Sequence, residues 1–214
     1  MIKFGDQFPD TYFPSSSTMK KAYIGKADFS NAIETSRTKI STMIDNAGLS
    51  APAIKWCKDC FVKATDEFFY MPVSSTGKYH GGPISTANCV GGNVIHIEDV
   101  LRMSDKVLNR YETALGTFYK ELSEALKIAC ILHDISKYKP DSLYTGKYHG
   151  EEAADLLKSI STDYDWSGLV AEAVANHMYA WKFQAVWDYI ITTRGSVNGV
   201  FLSCMLSECD YYSF

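Results

Sequence analysis

The chain has 214 residues, of which 46% are hydrophobic and 21% charged, and its formal net charge is −4. This length and apolar content predict one domain with a full core. The negative charge disfavours broad, sequence-independent binding to duplex DNA. No run approaches the roughly 18 apolar residues that span a membrane, and the first residues lack the apolar core of a signal peptide, so we expect a cytoplasmic protein.

The amino-terminal third predicts a helical layer. Residues 1–27 are rich in Pro, Ser and Tyr and indicate an irregular arm. Two helices are predicted after it, at residues 28–47 and 52–70. We expect residues 1–70 to pack on a core domain of residues 71–214.

Six cysteines occur without a secretion signal, so reduced, buried thiols are the expected state. Cys57 and Cys60 form a C-x-x-C motif in WCKDCF. A structural zinc site needs a second pair at suitable spacing, and a redox pair needs a strand-to-helix turn. The pair lies in a helical pattern instead, which favours simple packing.

Residues 71–92 form a long segment dense in Gly, Ser and Thr. A loop of this length inside a compact domain is typical of a functional element. It carries Lys78 and His80 and leads into a helix predicted over 93–115, with Asn93 as the N-cap. His96 then falls near the start of that helix.

Residues 121–137, ELSEALKIACILHDISK, carry the pattern around which the chain is organised. The segment is apolar on most sides, which predicts a central, buried helix. It ends in His133 and Asp134. Burying an imidazole and a carboxylate is costly unless something compensates them, and a divalent metal would compensate both.

The remaining helices place more ligand-type residues near helix ends. Helices are predicted at residues 150–160, 167–178, 182–192 and 195–214. His149 lies at the start of the first, His177 near the end of the second, and Asp210 in the last. No alternating strand pattern appears over a useful length, so the prediction is an all-α domain.

Imidazole and carboxylate ligands suit Mn, Fe, Zn or Ni, and thiolates are absent from the set. A bridging carboxylate such as Asp134 can hold two cations about 3.5–4 Å apart, the arrangement of two-metal hydrolases. The candidate ligands in chain order are His96, His133, Asp134, His149, His177 and Asp210.

This H…HD…H…H…D order resembles the two-metal branch of the HD-domain metal-dependent phosphohydrolase superfamily. GGNVIH is similar to the Gly-Gly-Leu-x-x-His segment of bacterial and phage HD proteins, and HDISK to their His-Asp-Ile-Gly-Lys. MPVSSTGKYH, YHGEEAADLL, AVANHMYAW and ECDYYS match further segments in family order. Asn93 and Ser136 depart from the pattern. The resemblance covers residues 71–214 and implies an HD-type helical bundle with an amino-terminal helical extension.

The resemblance also implies roles for single residues. It assigns one metal to His96, His133, Asp134 and Asp210, and the other to Asp134, His149 and His177. A metal-bound hydroxide would then attack phosphorus. Lys137 could neutralise a phosphate oxygen, or act only as a cation at the helix end. Lys78 and His80 are candidates for phosphate contact or leaving-group protonation.

The implied function is hydrolysis of a phosphoester in a nucleotide or a short single-stranded nucleic acid. Three alternatives stay open: a nucleoside triphosphate hydrolase, a di-iron oxygenase, and a ligand-binding HD module without turnover. Four aromatic residues could stack on a base or simply lie in the core or at its rim: Tyr144, Tyr148, Trp181 and Trp187.

Overall fold

The structure is a computed structural model that describes residues 1–8, 28–75, 86–116, 119–141, 145–178 and 197–213. Within these ranges the chain forms eight helices and no strand, which confirms the all-α prediction. No helix in the same ranges is long and apolar enough to cross a membrane. The helices are α1 Ser30–Asn46, α2 Ala51–Phe61, α3 Asp66–Tyr70, α4 Gly92–Leu115, α5 Tyr119–Leu132, α6 His149–Ser159, α7 Ser167–Asn176 and α8 Val197–Tyr211.

Helix α5 lies at the centre of the bundle, as its apolar pattern predicts. It packs against α2, α4, α7 and α8. Because neighbours cover it on several sides, it tolerates no broad polar face. Its buried residues are Leu122, Ala125, Leu126, Ile128, Ala129, Cys130, Ile131 and Leu132.

The amino-terminal layer packs on this centre. Helix α1 contacts α2 and α4, and α2 contacts α5. Ile40 and Trp56 belong to the same hydrophobic cluster as the core of α5. The first eight residues join the layer, since the Gly5 amide donates to the Val90 carbonyl at 2.9 Å. The position of a boundary between two domains remains a prediction.

The single helix predicted over 52–70 is wrong, because the chain breaks between α2 and α3. The amides of Lys63 and Ala64 donate to carbonyls three residues back, at 2.9 and 3.2 Å, which closes a tight turn. Thr65 then caps α3, accepting from the Phe68 amide at 3.3 Å. A threonine followed by two acidic residues is a helix-start signal that the sequence contains.

The N-cap predicted for α4 is also wrong. Gly91, not Asn93, occupies that position with a φ of +78°, a conformation that favours glycine. The buried Asn93 side chain donates to a carbonyl of α3 at 3.4 Å. At Gly92 a Cβ would lie 1.7 Å from the Ala87 carbonyl oxygen. This close approach fixes the start of α4, which carries His96.

The cysteines behave largely as packing residues. Cys57 and Cys60 are buried in α2, as expected, and burial raises the pKa of both thiols. That they serve packing alone stays a prediction. All six cysteines are free thiols, but Cys204 is exposed, contrary to the expectation of general burial.

A glycine lets α6 approach α7 closely. A Cβ at Gly150 would lie 3.0 Å from the Val174 carbonyl oxygen and 3.1 Å from the His177 ring. Any larger residue would push the two helices apart. The contact brings His149, the first residue of α6, beside His177, which directly follows α7.

Candidate metal centre

Five helix ends or helix starts deliver the six predicted ligands to one end of the bundle. His133 and Asp134 follow α5, His149 begins α6, and His177 follows α7. His96 lies near the start of α4 and Asp210 in the last turn of α8. All six side chains are at most 4% exposed. Such a buried set of titratable groups needs compensation from within the site.

Three of the four histidines hold their rings in the same way. Each Nδ1 contacts the backbone carbonyl three residues earlier, and a carbonyl oxygen only accepts hydrogen bonds. Each Nδ1 therefore carries a hydrogen, and each ring, in its neutral form, turns the lone pair of Nε2 into the cluster. The pairs are His133 with Cys130 at 2.9 Å, His149 with Gly146 at 2.7 Å, and His177 with Val174 at 2.7 Å.

His96 reaches the same state through a side chain. The Ser213 hydroxyl donates to the Asp210 carbonyl oxygen at 2.8 Å, and its Oγ lies 3.4 Å from His96 Nδ1. Because a hydroxyl has one hydrogen, Ser213 accepts from His96. The Nε2 lone pair of His96 therefore also faces the cluster. Ser213 has no role in the sequence prediction, although it lies in the ECDYYS motif that carried the resemblance.

Asp134 lies between two pairs of histidines. Its Oδ2 is 3.3 Å from His133 Nε2 and 3.6 Å from His96 Nε2. Its Oδ1 is 3.2 Å from His149 Nε2 and 3.8 Å from His177 Nε2. Each carboxylate oxygen thus faces a different pair of imidazoles.

Asp210 lies on the side of His96 and His133. Its Oδ1 is 3.1 Å from His96 Nε2 and 3.9 Å from His133 Nε2. Three groups have ligand atoms that all lie within 4.8 Å of one another: His96 with His133 and Asp134, His133 with His177 and Asp210, and Asp134 with His149 and His177.

The shorter of these separations, from 3.1 to 3.3 Å, suit donors that share a cation. Hydrogen bonds from nitrogen to oxygen cluster at about 2.9–3.0 Å, whereas two donors bound to one ion at about 2.1 Å lie roughly 3.0–3.4 Å apart. His177 Nε2 and Asp210 Oδ1 are buried and have no hydrogen-bond partner among the described residues. An orphaned buried acceptor costs about 1–3 kcal/mol, and a cation would satisfy both. The nitrogen and oxygen donors fit a divalent transition metal.

Protein charges already compensate the carboxylates. Burial alone would raise the pKa of Asp134, but Lys137 and His133 hold it well below its usual range. The Lys137 ammonium lies 2.6 Å from Asp134 Oδ2 and is itself buried. Burial likewise opposes the ionisation of Asp210, while the neighbouring imidazole of His96 lowers its pKa. Lys137 thus occupies a position where a positive charge is required.

The histidines divide into two electrostatic classes. Burial lowers the pKa of His96 against the pull of Asp210. Burial, together with the charges of His133 and His149, lowers the pKa of His177 to about 3. Burial also acts on His133, but Asp134 and Asp210 outweigh it and raise its pKa. His96 and His177 are therefore held neutral, the state in which imidazole binds a metal.

The other predicted site residues have mixed outcomes. Lys137 lies against Asp134, inside the cluster. Tyr148 directly precedes His149 in the chain and is 56% exposed. The remaining candidates lie outside the described residues: Lys78, His80, Tyr144, Trp181 and Trp187.

Comparison with known proteins supports one family. The HD domain model matches residues 93–194, a span that contains His96, the His133–Asp134 pair, His149 and His177. No curated protein and no solved structure shows significant similarity to the chain. HD domains bind divalent metals and are mostly metal-dependent hydrolases. The match assigns residues 93–194 to the HD-domain superfamily, and the all-α bundle agrees with that assignment.

Proposed function

We propose that this protein is a metal-dependent phosphohydrolase that cleaves a phosphoester of a nucleotide or of a short single-stranded nucleic acid. One observation carries the proposal: the two oxygens of Asp134 face two separate pairs of imidazole nitrogens. A carboxylate between two nitrogen-rich pockets is the arrangement expected of a bridging ligand. The proposed catalytic domain spans residues 71–214.

The proposed ligand sets follow the two sides of Asp134. One cation would be held by His96, His133, Asp134 and Asp210, and the other by Asp134, His149 and His177. Divalent cations in such sites supply a nucleophile at neutral pH by lowering the pKa of coordinated water towards about 7. The backbone and Ser213 contacts at each Nδ1 keep the rings oriented before any cation arrives. Little reorganisation is then needed on binding.

Lys137 would have two partners in turn. In the cation-free cluster its ammonium neutralises Asp134 at 2.6 Å. Once cations compensate Asp134, the ammonium becomes available to a phosphate oxygen of the substrate, where it stabilises developing negative charge. The same lysine would therefore neutralise Asp134 when no cation is bound and contact the substrate phosphate when cations are bound. We assign Lys78 and His80 to phosphate contact or leaving-group protonation.

The substrate is proposed to be small or single-stranded. The net charge is −4, and duplex binding depends on neutralising many phosphates at once. Four deeply buried histidines admit a single phosphate group more readily than a long, stiff duplex. Little activity on duplex DNA is expected.

The test is a parallel assay of metal-stripped protein reconstituted anaerobically with Mn²⁺. Substrates are free nucleotides, cyclic and linear dinucleotides, short oligonucleotides and duplex DNA. Asp134→Asn and His133→Ala should each lower turnover by more than about 100-fold, since a lost ligand removes both metal affinity and the nucleophile. Asp155→Asn, on the exposed face of α6, is the matched control and should retain turnover.

Two results would contradict the proposal. The first is near wild-type turnover by folded Asp134→Asn. The second is a failure to hydrolyse any tested phosphoester while bound metal is confirmed. In that case, turnover that requires oxygen would favour a di-iron oxygenase.

A further inference from the structure

The exposed large apolar residues of the described chain concentrate around the candidate metal centre. Four of the six border a proposed ligand in the chain: Tyr148 precedes His149, Met178 follows His177, and Tyr211 and Tyr212 follow Asp210. The other two are Met1 and Val62. Exposed apolar side chains can mark a binding site, and these four adjoin in the chain the residues where chemistry is proposed.

These exposed residues lie at helix ends that carry the proposed ligands. Tyr148 is the N-cap of α6, and Tyr211 is the last residue of α8. The Tyr211 and Tyr212 rings hold each other edge to face, with centroids 4.9 Å apart and planes at 88°. Tyr148 and Tyr212 are each 56% exposed. The aromatic surface is therefore partly pre-ordered and open to a ligand.

A lysine ammonium lies over the ring of Tyr148. The Lys147 ammonium lies 5.1 Å from the ring centroid, within the range of a cation–π contact. An aromatic ring beside a positive charge suits a ligand that has both a flat π-system and a phosphate. A purely apolar ligand would gain nothing from the lysine.

The total exposed apolar area of these four residues argues against a protein partner. At about 200 Å² for a large side chain, the four exposed fractions amount to roughly 400 Å². A stable protein interface needs roughly 800 Å² on each side. A stacked base with its sugar requires much less, so a nucleotide unit fits the available area.

We propose that Tyr148 and Tyr212 form a stacking surface for an unpaired nucleobase whose neighbouring phosphate lies at the metal centre. This inference rests on the proposed function and narrows its substrate class to phosphoesters that contain a base. Stacking on tyrosine tolerates every base, because each has a π-face. The site should therefore distinguish single-stranded from paired bases more strongly than one base from another.

The primary test measures binding without turnover. Metal-stripped protein in EDTA is titrated against a fluorescent single-stranded oligonucleotide and against an abasic strand of equal length. The ratio of the two affinities should exceed roughly fivefold in the wild type, the lower end of what one stacked base contributes. Tyr148→Ala should bring the ratio close to one, Tyr148→Phe should preserve it, and Tyr212→Ala should reduce it. Val62→Ala removes an equally exposed apolar side chain elsewhere and should leave the ratio unchanged.

The outcomes separate this inference from the proposed function. Equal affinity for base-containing and abasic strands in the wild type would overturn the stacking surface, even if phosphoesters are hydrolysed. An affinity ratio that Tyr148→Ala leaves intact would overturn it as well. A base-dependent ratio that needs Tyr148, in a protein that hydrolyses no phosphoester, would uphold the stacking surface and reject the hydrolase.

Discussion

Replacing Lys137 with methionine should destabilise the protein only when the metal is absent. The Lys137 ammonium is 2.6 Å from Asp134 Oδ2, and both side chains are almost completely buried. Methionine keeps much of the volume and removes the charge. Asp134 is then left buried with its charge compensated only in part by His133, whose pKa the carboxylate raises.

The expected magnitude follows from the burial of the pair. Removing one partner of a buried ion pair costs about 3–5 kcal/mol. For a domain of this size each kcal/mol shifts the melting temperature by about 2–4 °C, so the loss in EDTA should be roughly 6–20 °C. With saturating Mn²⁺ a cation compensates Asp134, and the deficit should shrink to less than about 1 kcal/mol.

The assay is thermal unfolding of both proteins in EDTA and in Mn²⁺. Lys139→Met is the matched control, because Lys139 forms an ion pair with Glu152 at the same 2.6 Å, but that lysine is 60% exposed. An exposed pair contributes about 0–1 kcal/mol, so the control should change little in either buffer. A loss of stability in Lys137→Met that is equally large with and without Mn²⁺ would show that Lys137 does not compensate the charge of Asp134. Unchanged stability in EDTA would show the same.

Three further predictions concern the surroundings of the cluster. Ser213→Ala removes the hydrogen-bond acceptor of His96 Nδ1 and should weaken Mn²⁺ binding by about 10–100-fold, while Ser213→Thr should restore it in calorimetric titrations. The double variant Cys57→Ser, Cys60→Ser should keep its metal content in elemental analysis, since both thiols lie in the core; lost metal would contradict the packing role. The fold lowers the pKa of His177 to about 3, so as pH falls this histidine is protonated in the unfolded state before it is protonated in the folded state. Protonation of the unfolded state therefore lowers the stability of the metal-free protein below about pH 6.5. In urea unfolding with EDTA, His177→Gln should therefore gain stability relative to wild type by up to about 1.4 kcal/mol per pH unit between pH 6.5 and 4, and a pH-independent difference would contradict this.

Local patterns were sufficient to predict most of the helical framework. The apolar run before His133 and Asp134 indicates a buried helix on its own, and α5 is central and covered by neighbours. The errors fell where local signals compete. Thr65 caps α3 within a segment that otherwise continues a helical pattern, and Gly91 takes the N-cap that Asn93 also suits by type.

The geometry of the candidate site depends on how helices that are distant in the sequence pack against one another, and the hydrophobic periodicity of the sequence does not encode this packing. The sequence places ligand-type residues at helix ends, but not the direction of each Asp134 oxygen. It predicts Lys137 near phosphate, whereas the ammonium contacts Asp134. The contact of Ser213 with His96 joins residues 117 positions apart. The ligand roles of these residues remain predictions.

If Asp134 bridges two cations, anomalous diffraction from crystals loaded with Mn²⁺ should locate both of them. We expect two manganese peaks, one beside each carboxylate oxygen of Asp134, at near-full occupancy. In His149→Ala or His177→Ala the peak beside Oδ1 should vanish while the other remains, because the two ligand sets share only Asp134. A single peak in the fully loaded wild-type protein, or peaks remote from Asp134, would contradict the account.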